Sequence, residues 1–234
     1  MKLVLLHSPL AVPALWETVA PDLRSRGHHV VVPDLTPSLS GGPSYYARFA
    51  DCVAGAIAPE SGDTYLVAHS GAGALVPAIE ARTALAGTIF VDALLPHPGR
   101  AWFETVPPQL AARLRALAQD GRLPPWHRWW PEKTMAAVLP DAALRARIFA
   151  QLPEVPLAYL EERAPDAALA ARAAYLQLSP GYHAEADQAA AAGWPVERMY
   201  SQQMPLQHLA MLTHPQHVAE KIAGLASQLR RLSG

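Results

Sequence analysis

A chain of 234 residues with 51% hydrophobic content is long enough to bury roughly 70–75% of its unfolded surface as one compact domain with at most an inserted lid. A formal net charge of −1 gives no electrostatic ground for nucleic acid or an anionic membrane as a partner. The lone Cys52 rules out an intramolecular disulfide or a cysteine-based metal cluster, and no segment reaches the ~18 charge-free apolar residues of a membrane span. The expectation is a soluble cytoplasmic protein, monomer or homodimer, with a small molecule as its partner. The 23 prolines imply stiff loops, not disorder, because apolar content stays high.

In chain order, short apolar runs alternate with helical patterns, which predicts an α/β fold with a mostly parallel, doubly wound sheet. The predicted strands are residues 2–6, 29–32, 64–68, 87–92, 174–179 and 196–201. The first four are nearly continuous in aliphatic and aromatic residues, as strands covered on both faces should be. Helices are expected over residues 16–26, 45–58, 71–83, 182–192 and 215–232, with Gly27 and Gly193 at the positions of C-caps. From about residue 96 to 172 the rhythm breaks. That stretch carries Pro107-Pro108, Pro124-Pro125-Trp126 and Trp129-Trp130-Pro131 among Ala/Leu/Arg helical segments with no convincing strand. It reads as a helical lid over a core made of residues 1–95 and 173–234.

The strongest chemical signal is Leu66-Val67-Ala68-His69-Ser70-Gly71-Ala72-Gly73, an apolar strand entering a helix through a serine. A serine on so sharp a turn exposes its hydroxyl and needs small neighbours two positions away, here Ala68 and Ala72. Gly71 then places an N–H at a helix start, where an oxyanion on the Ser70 adduct would lie. The plain alternative is a helix N-cap serine.

With Leu5-Leu6-His7-Ser8 before it and Gln207-His208-Leu209-Ala210-Met211-Leu212 near the end, the chain resembles the α/β-hydrolase superfamily over nearly its whole length. The motifs occur in that family's order, with the histidine last. The resemblance implies a serine hydrolase cleaving an ester, thioester or lactone of a hydrophobic molecule, with Ser70 as nucleophile and His208 as base. It implies no metal or organic cofactor.

The residue that orients His208 is less plain, because the loop after the 174–179 strand has Tyr182 near the place where the family usually has an aspartate. Asp92, ending the 87–92 strand, occupies a second position used by some members and is the preferred candidate, with Glu161, Glu162, Glu185 and Asp187 as alternatives. By family alignment position 9 should give the second oxyanion N–H, but Pro9 has none. Ser8 or Leu10 would have to replace it, with His7 nearby. A hydroxyl at position 8 also resembles hydroxynitrile lyases and related plant esterases, so lyase-type chemistry using Ser70 and His208 as a base is the runner-up.

Trp102, Phe103, Trp126, Trp129 and Trp130 are candidates to line an apolar pocket, or else to pack the lid onto the sheet. Two other classes remain. Gly71-Ala72-Gly73 followed by Asp92 imitates a dinucleotide-binding fingerprint, although Val76 stands where the third small residue belongs. A binding protein that has lost catalysis is the other.

Overall fold

The computed structural model describes residues 1–57, 63–200 and 207–232. In chain order the elements of the first half are β1 (Lys2–Leu6), α1 (Val19–Ser25), β2 (His29–Val31), α2 (Tyr45–Ala56), β3 (Thr64–His69), α3 (Val76–Glu80) and β4 (Gly87–Val91). Next come α4 (Pro108–Leu117), β5 (Arg122–Leu123), α5 (Glu132–Val138), α6 (Ala142–Phe149), β6 (Val155–Pro156) and α7 (Leu157–Glu161). The chain finishes with β7 (Ala173–Gln177), α8 (His183–Ala191), β8 (Val196–Arg198), α9 (Ala210–Thr213) and α10 (Pro215–Arg231). The outer end of the last predicted strand, at Ser201, lies outside the described residues.

Six strands form one sheet in the order β2-β1-β3-β4-β7-β8, and every pairing is parallel. The α/β, doubly wound expectation therefore holds. Side chains alternate between two cores because successive strand residues point to opposite faces. Leu3, Leu5, Val67, Ile89 and Val91 pack with Leu23 of α1 and Ile222 and Leu225 of α10. Val4, Leu6, Leu66, Ala68 and Phe90 pack on the opposite face with Phe49 of α2, Ile79 of α3 and Ala186 of α8. Both faces are dry, which explains why β1, β3 and β4 are buried along their full length.

Gly27 and Gly193 sit at φ +83° and +78°, immediately beyond the ends of α1 and α8, where the left-handed region favours glycine. The first predicted helix, over 16–26, is observed as α1 at Val19–Ser25, and a separate 3₁₀ turn, Pro13–Trp16, precedes it. The region over residues 96–172 is not purely helical. β5 and β6 pair antiparallel, Arg122 opposite Pro156 and Leu123 opposite Val155. Two-residue strands carry too little alternation to be read from sequence. Glu162, just past α7, accepts the N–H groups of Tyr45 and Tyr46 at 2.8 and 3.1 Å. It thereby satisfies donors that the start of α2 leaves free and ties this region to the core.

Candidate functional site

β3 delivers Ser70 at a strand-to-3₁₀ turn, and Ser70 itself takes φ +59°, a conformation costly for a side chain other than glycine. The turn is held by close backbone contact. Leu94 N–H donates to Ser70 C=O at 3.1 Å, and a Cβ on Gly73 would lie 2.0 Å from Leu94 O. Ala68 and Ala72 are fully buried on either side. Steric closure thus requires a residue without a side chain at Gly73, and the small Ala68 and Ala72 are buried beside the turn.

β4 ends one residue before Asp92, which is buried, sits at φ +42° and is surrounded by donors. Its Oδ1 accepts Leu178 N–H at 2.7 Å and Ser179 N–H at 3.0 Å, and its Oδ2 accepts the Ser179 hydroxyl at 2.5 Å. The same Oδ2 lies 3.1 Å from Nδ1 of His208. The turn behind it is clamped by Tyr175, whose hydroxyl donates to Ala93 C=O at 2.8 Å and accepts Ala93 N–H at 3.0 Å. Every donor around this buried carboxylate is thus met by one of its two oxygens.

His208 is held between two rings. Its imidazole stacks on His69, with centroids 4.5 Å apart, and on Tyr182, with centroids 4.9 Å apart and planes 11° from parallel. His69 is buried and lies with Nε2 3.1 Å from His208 C=O. Burial, and then the neighbouring His208, push the His69 pKa well below its ordinary value, so this ring stays neutral. The Tyr182 hydroxyl, its pKa raised by burial, reaches Ser70 Oγ at 3.4 Å.

Ser70, His208 and Tyr182 border one cavity of about 200 Å³ whose walls include Trp102, Trp126, Trp129 and Trp130. Ser8 and Leu10 also reach it. A Cβ on Gly71 would fall 2.9 Å from Ser8 Oγ, so the glycine leaves the space that this hydroxyl occupies.

Several sequence-derived assignments are corrected here. His7 is buried away from the cavity, with Nδ1 2.8 Å from Ser8 C=O and Nε2 accepting Leu35 N–H at 3.1 Å, so it braces the loop after β2. The Leu10 N–H is taken up by Ser8 Oγ at 3.2 Å, and Leu10 contributes its side chain to the cavity wall. Phe103 packs in the core beneath the Arg115 guanidinium, 4.2 Å from its ring centroid. Glu161 pairs with Arg115, Glu162 caps α2, and Asp187 pairs with Arg198 and His183. Glu185 lies on α8, and the carboxylate on His208 is that of Asp92. For a dinucleotide fingerprint, Asp92 would have to be open to a ribose, yet it is fully buried against His208. Among the described residues no cluster of three or more His, Cys, Asp or Glu side chains has the arrangement of a metal site, and no helix is long and apolar enough to cross a membrane.

Tyr182 and His69, the two rings stacked on His208, are among the cavity-side residues whose part the sequence left unassigned. The one hint was Tyr182 standing where an aspartate was expected; no local signal marks His69.

Comparison with known proteins bears on the family and the fold. The model of the alpha/beta hydrolase family matches residues 3–221. An extracellular α/β-hydrolase from a Paenibacillus species, described as sharing structural and functional homology with tobacco salicylic acid binding protein 2, is similar in structure. It superposes with a TM-score of 0.78 at 18% identity, covering 96% of this chain and 98% of that one. A pyrethroid hydrolase from Sphingobium faniae JZ-2 gives a TM-score of 0.67 at 19% identity over 97% of each chain. Polyneuridine aldehyde esterase gives 0.66 at 16% identity, over 96% of this chain and 98% of the esterase. No curated protein sequence matches significantly.

Proposed function

Because the chain belongs to the α/β-hydrolase family, we propose that it is a serine hydrolase that cleaves an ester, thioester or lactone of a hydrophobic small molecule through an acyl-enzyme at Ser70. The observation that carries this reading is the 3.1 Å contact between buried Asp92 and His208 Nδ1, with His208 and Ser70 on one cavity wall.

A serine hydroxyl near its ordinary pKa is a weak nucleophile and needs a base. Asp92 holds His208 in the tautomer with hydrogen on Nδ1, leaving a lone pair at Nε2 to take the Ser70 proton during attack on the carbonyl. The imidazolium then returns the proton to the leaving oxygen or sulfur. Water repeats the sequence to free the acid. The oxyanion is held by Gly71 N–H and by the Ser8 hydroxyl. Ser8 Oγ accepts the Leu10 N–H and so has its own proton to donate. The tryptophan wall supplies the apolar surface for the substrate.

The test is labelling by a fluorophosphonate, which should modify Ser70 and vanish in Ser70→Ala, followed by turnover of p-nitrophenyl esters of graded length beside acyl thioesters and lactones. Absence of labelling in the folded protein overturns the reading. A lyase-type reaction is the second reading, favoured by a hydroxyl at Ser8 together with Pro9, which has no N–H to offer an oxyanion. Labelling without turnover of any ester, thioester or lactone would select it.

A further inference from the structure

A second chamber of about 110 Å³ opens beside the first, and the two share Ser8, Leu10, Ser70, Trp102 and Tyr182. Ser70 therefore stands at the junction of two spaces, each suited to one half of a substrate. They differ in chemistry. The larger space is bordered by His208 and the tryptophans, while the smaller is bordered by Gly71, Tyr46, Tyr159 and His97.

The reaction fixes which half goes where. The leaving oxygen must take its proton from His208, so the alcohol half belongs in the space that His208 borders. The acyl half then occupies the smaller chamber, on the Gly71 side.

His97 gives that chamber a specific demand. The residue is only 9% exposed. Its Nδ1 lies 2.9 Å from Arg100 C=O, which can only accept, so Nδ1 carries a hydrogen and Nε2 is the ring nitrogen left to act as an acceptor. Among the described residues Nε2 is buried with no hydrogen-bond partner. A buried acceptor without a donor is costly, and the ring that carries this one borders the chamber.

We propose that the smaller chamber selects an acyl group bearing a hydrogen-bond donor, an O–H or N–H close to the carbonyl, and that His97 Nε2 is the acceptor that reads it. The preferred substrate is then a hydroxy- or amino-substituted acyl group esterified to a bulky apolar alcohol. This rests on the assignment of Ser70 as nucleophile. It goes further by dividing the substrate between two spaces and giving one of them a polar code.

The experiment compares 2-naphthyl esters of butyrate, 2-hydroxybutyrate, 3-hydroxybutyrate and 3-methoxybutyrate, the last bearing an oxygen but no donor. At least one hydroxy ester should exceed butyrate in kcat/KM by about tenfold, the worth of one net hydrogen bond, and the methoxy ester should gain nothing. In His97→Asn the side-chain amide can still donate to Arg100 C=O but no acceptor reaches the chamber. In His97→Leu both contacts go. The hydroxy preference, read as the ratio of hydroxy-ester to butyrate kcat/KM within each protein, should fall to near unity in both variants. If a variant unfolds, the other one and the parent series still decide the matter.

Parent enzyme that labels at Ser70 yet shows no hydroxy preference, or a preference unchanged in His97→Asn, would mean that water alone satisfies Nε2 and would overturn the inference while leaving the nucleophile in place. Labelling without turnover of any ester in the series overturns it as well. Failure of Ser70 to label removes the nucleophile assignment, and the inference with it.

Discussion

The imidazoles of His69 and His208 lie face to face, centroids 4.5 Å apart and planes inclined by 30°, and Nε2 of His69 meets the backbone carbonyl of His208 at 3.1 Å. The residue before the strained serine thus anchors the loop that carries His208. Because Nε2–H donates to that carbonyl, Nδ1 of His69 bears no hydrogen, and burial keeps the ring neutral. A charged His69 would repel the imidazolium that the proposed mechanism forms at His208.

His69→Phe preserves a flat ring but removes both the hydrogen bond and the titration. Loss of one hydrogen bond of about 1 kcal/mol to the base-bearing loop should lower kcat/KM roughly five- to tenfold. The stability profile should change as well. In the unfolded chain an imidazole titrates near 6.5, whereas folded His69 titrates well below that. As pH falls below about 6.5 the unfolded state takes up a proton that the folded state refuses, so stability drops until the folded pKa is reached. One such site costs about 1 kcal/mol between pH 7 and pH 5.5. Urea unfolding at the two pH values should show that loss in the parent and a correspondingly smaller one in His69→Phe. Equal losses would mean that His69 is not held neutral by the fold.

Asp92→Asn alters charge with little change of shape, and Asn tolerates the positive φ at this position. The amide oxygen can still accept Leu178 N–H and Ser179 N–H. Its NH₂ then faces His208 Nδ1, where a hydrogen already sits, and drives the imidazole to the other tautomer. The expected outcome is a fall in kcat of about 10⁴ with slowed fluorophosphonate labelling. A loss under tenfold would remove Asp92 from the role of orienter.

Some of this site was legible in the chain and some was not, for identifiable reasons. Ser70 was readable because a strained turn imposes local rules on Ala68, Gly71, Ala72 and Gly73. β1 was predicted over residues 2–6 and is observed as Lys2–Leu6, because burial on both faces leaves an unbroken apolar run. β7 was predicted to reach residue 179 and stops at Gln177. The cause is long-range: the N–H groups of Leu178 and Ser179 turn to the Asp92 carboxylate, 86 and 87 positions away, instead of continuing the ladder. No local pattern encodes that capture. Whether His7 and Phe103 face the cavity or the core was not legible for a similar cause. A histidine or phenylalanine has the same signature whether its ring faces a cavity or a core, and only the packed neighbours decide.

Gly71 and Gly73 are two positions apart yet should fail differently when changed to alanine. At Gly73 the new methyl would lie 2.0 Å from the Leu94 carbonyl oxygen, a backbone atom that cannot step aside alone. Overpacking there should cost at least 1–3 kcal/mol and lower the melting temperature, or prevent soluble expression. At Gly71 the methyl meets the Ser8 hydroxyl at 2.9 Å, and a side-chain oxygen can rotate away. Stability should then change little. Moving the Ser8 donor should still reduce kcat by about 10²-fold, the scale of one oxyanion contact. Thermal melts beside initial rates separate the two cases, and a Gly71→Ala enzyme of undiminished kcat would take Ser8 out of oxyanion binding.

Tyr182 offers two contacts that can be removed separately. Its hydroxyl sits 3.4 Å from Ser70 Oγ, at the long limit for an O–H···O bond, while its ring lies nearly parallel to His208. Tyr182→Phe keeps the stack and loses only the long bond, so kcat/KM should stay within about threefold of the parent, well under the worth of an ordinary hydrogen bond. Tyr182→Ala removes the ring that confines the imidazole on the face opposite His69. Without it His208 gains rotational freedom, and misplacing a catalytic group by an ångström can cost about 10²-fold. The loss should fall mainly on kcat, because the tryptophan wall that binds the apolar half is untouched. Should Tyr182→Phe instead fall as far as Tyr182→Ala, the phenol itself would have to act on Ser70, as a donor to the oxyanion or to the nucleophile, and the stacked ring would be secondary.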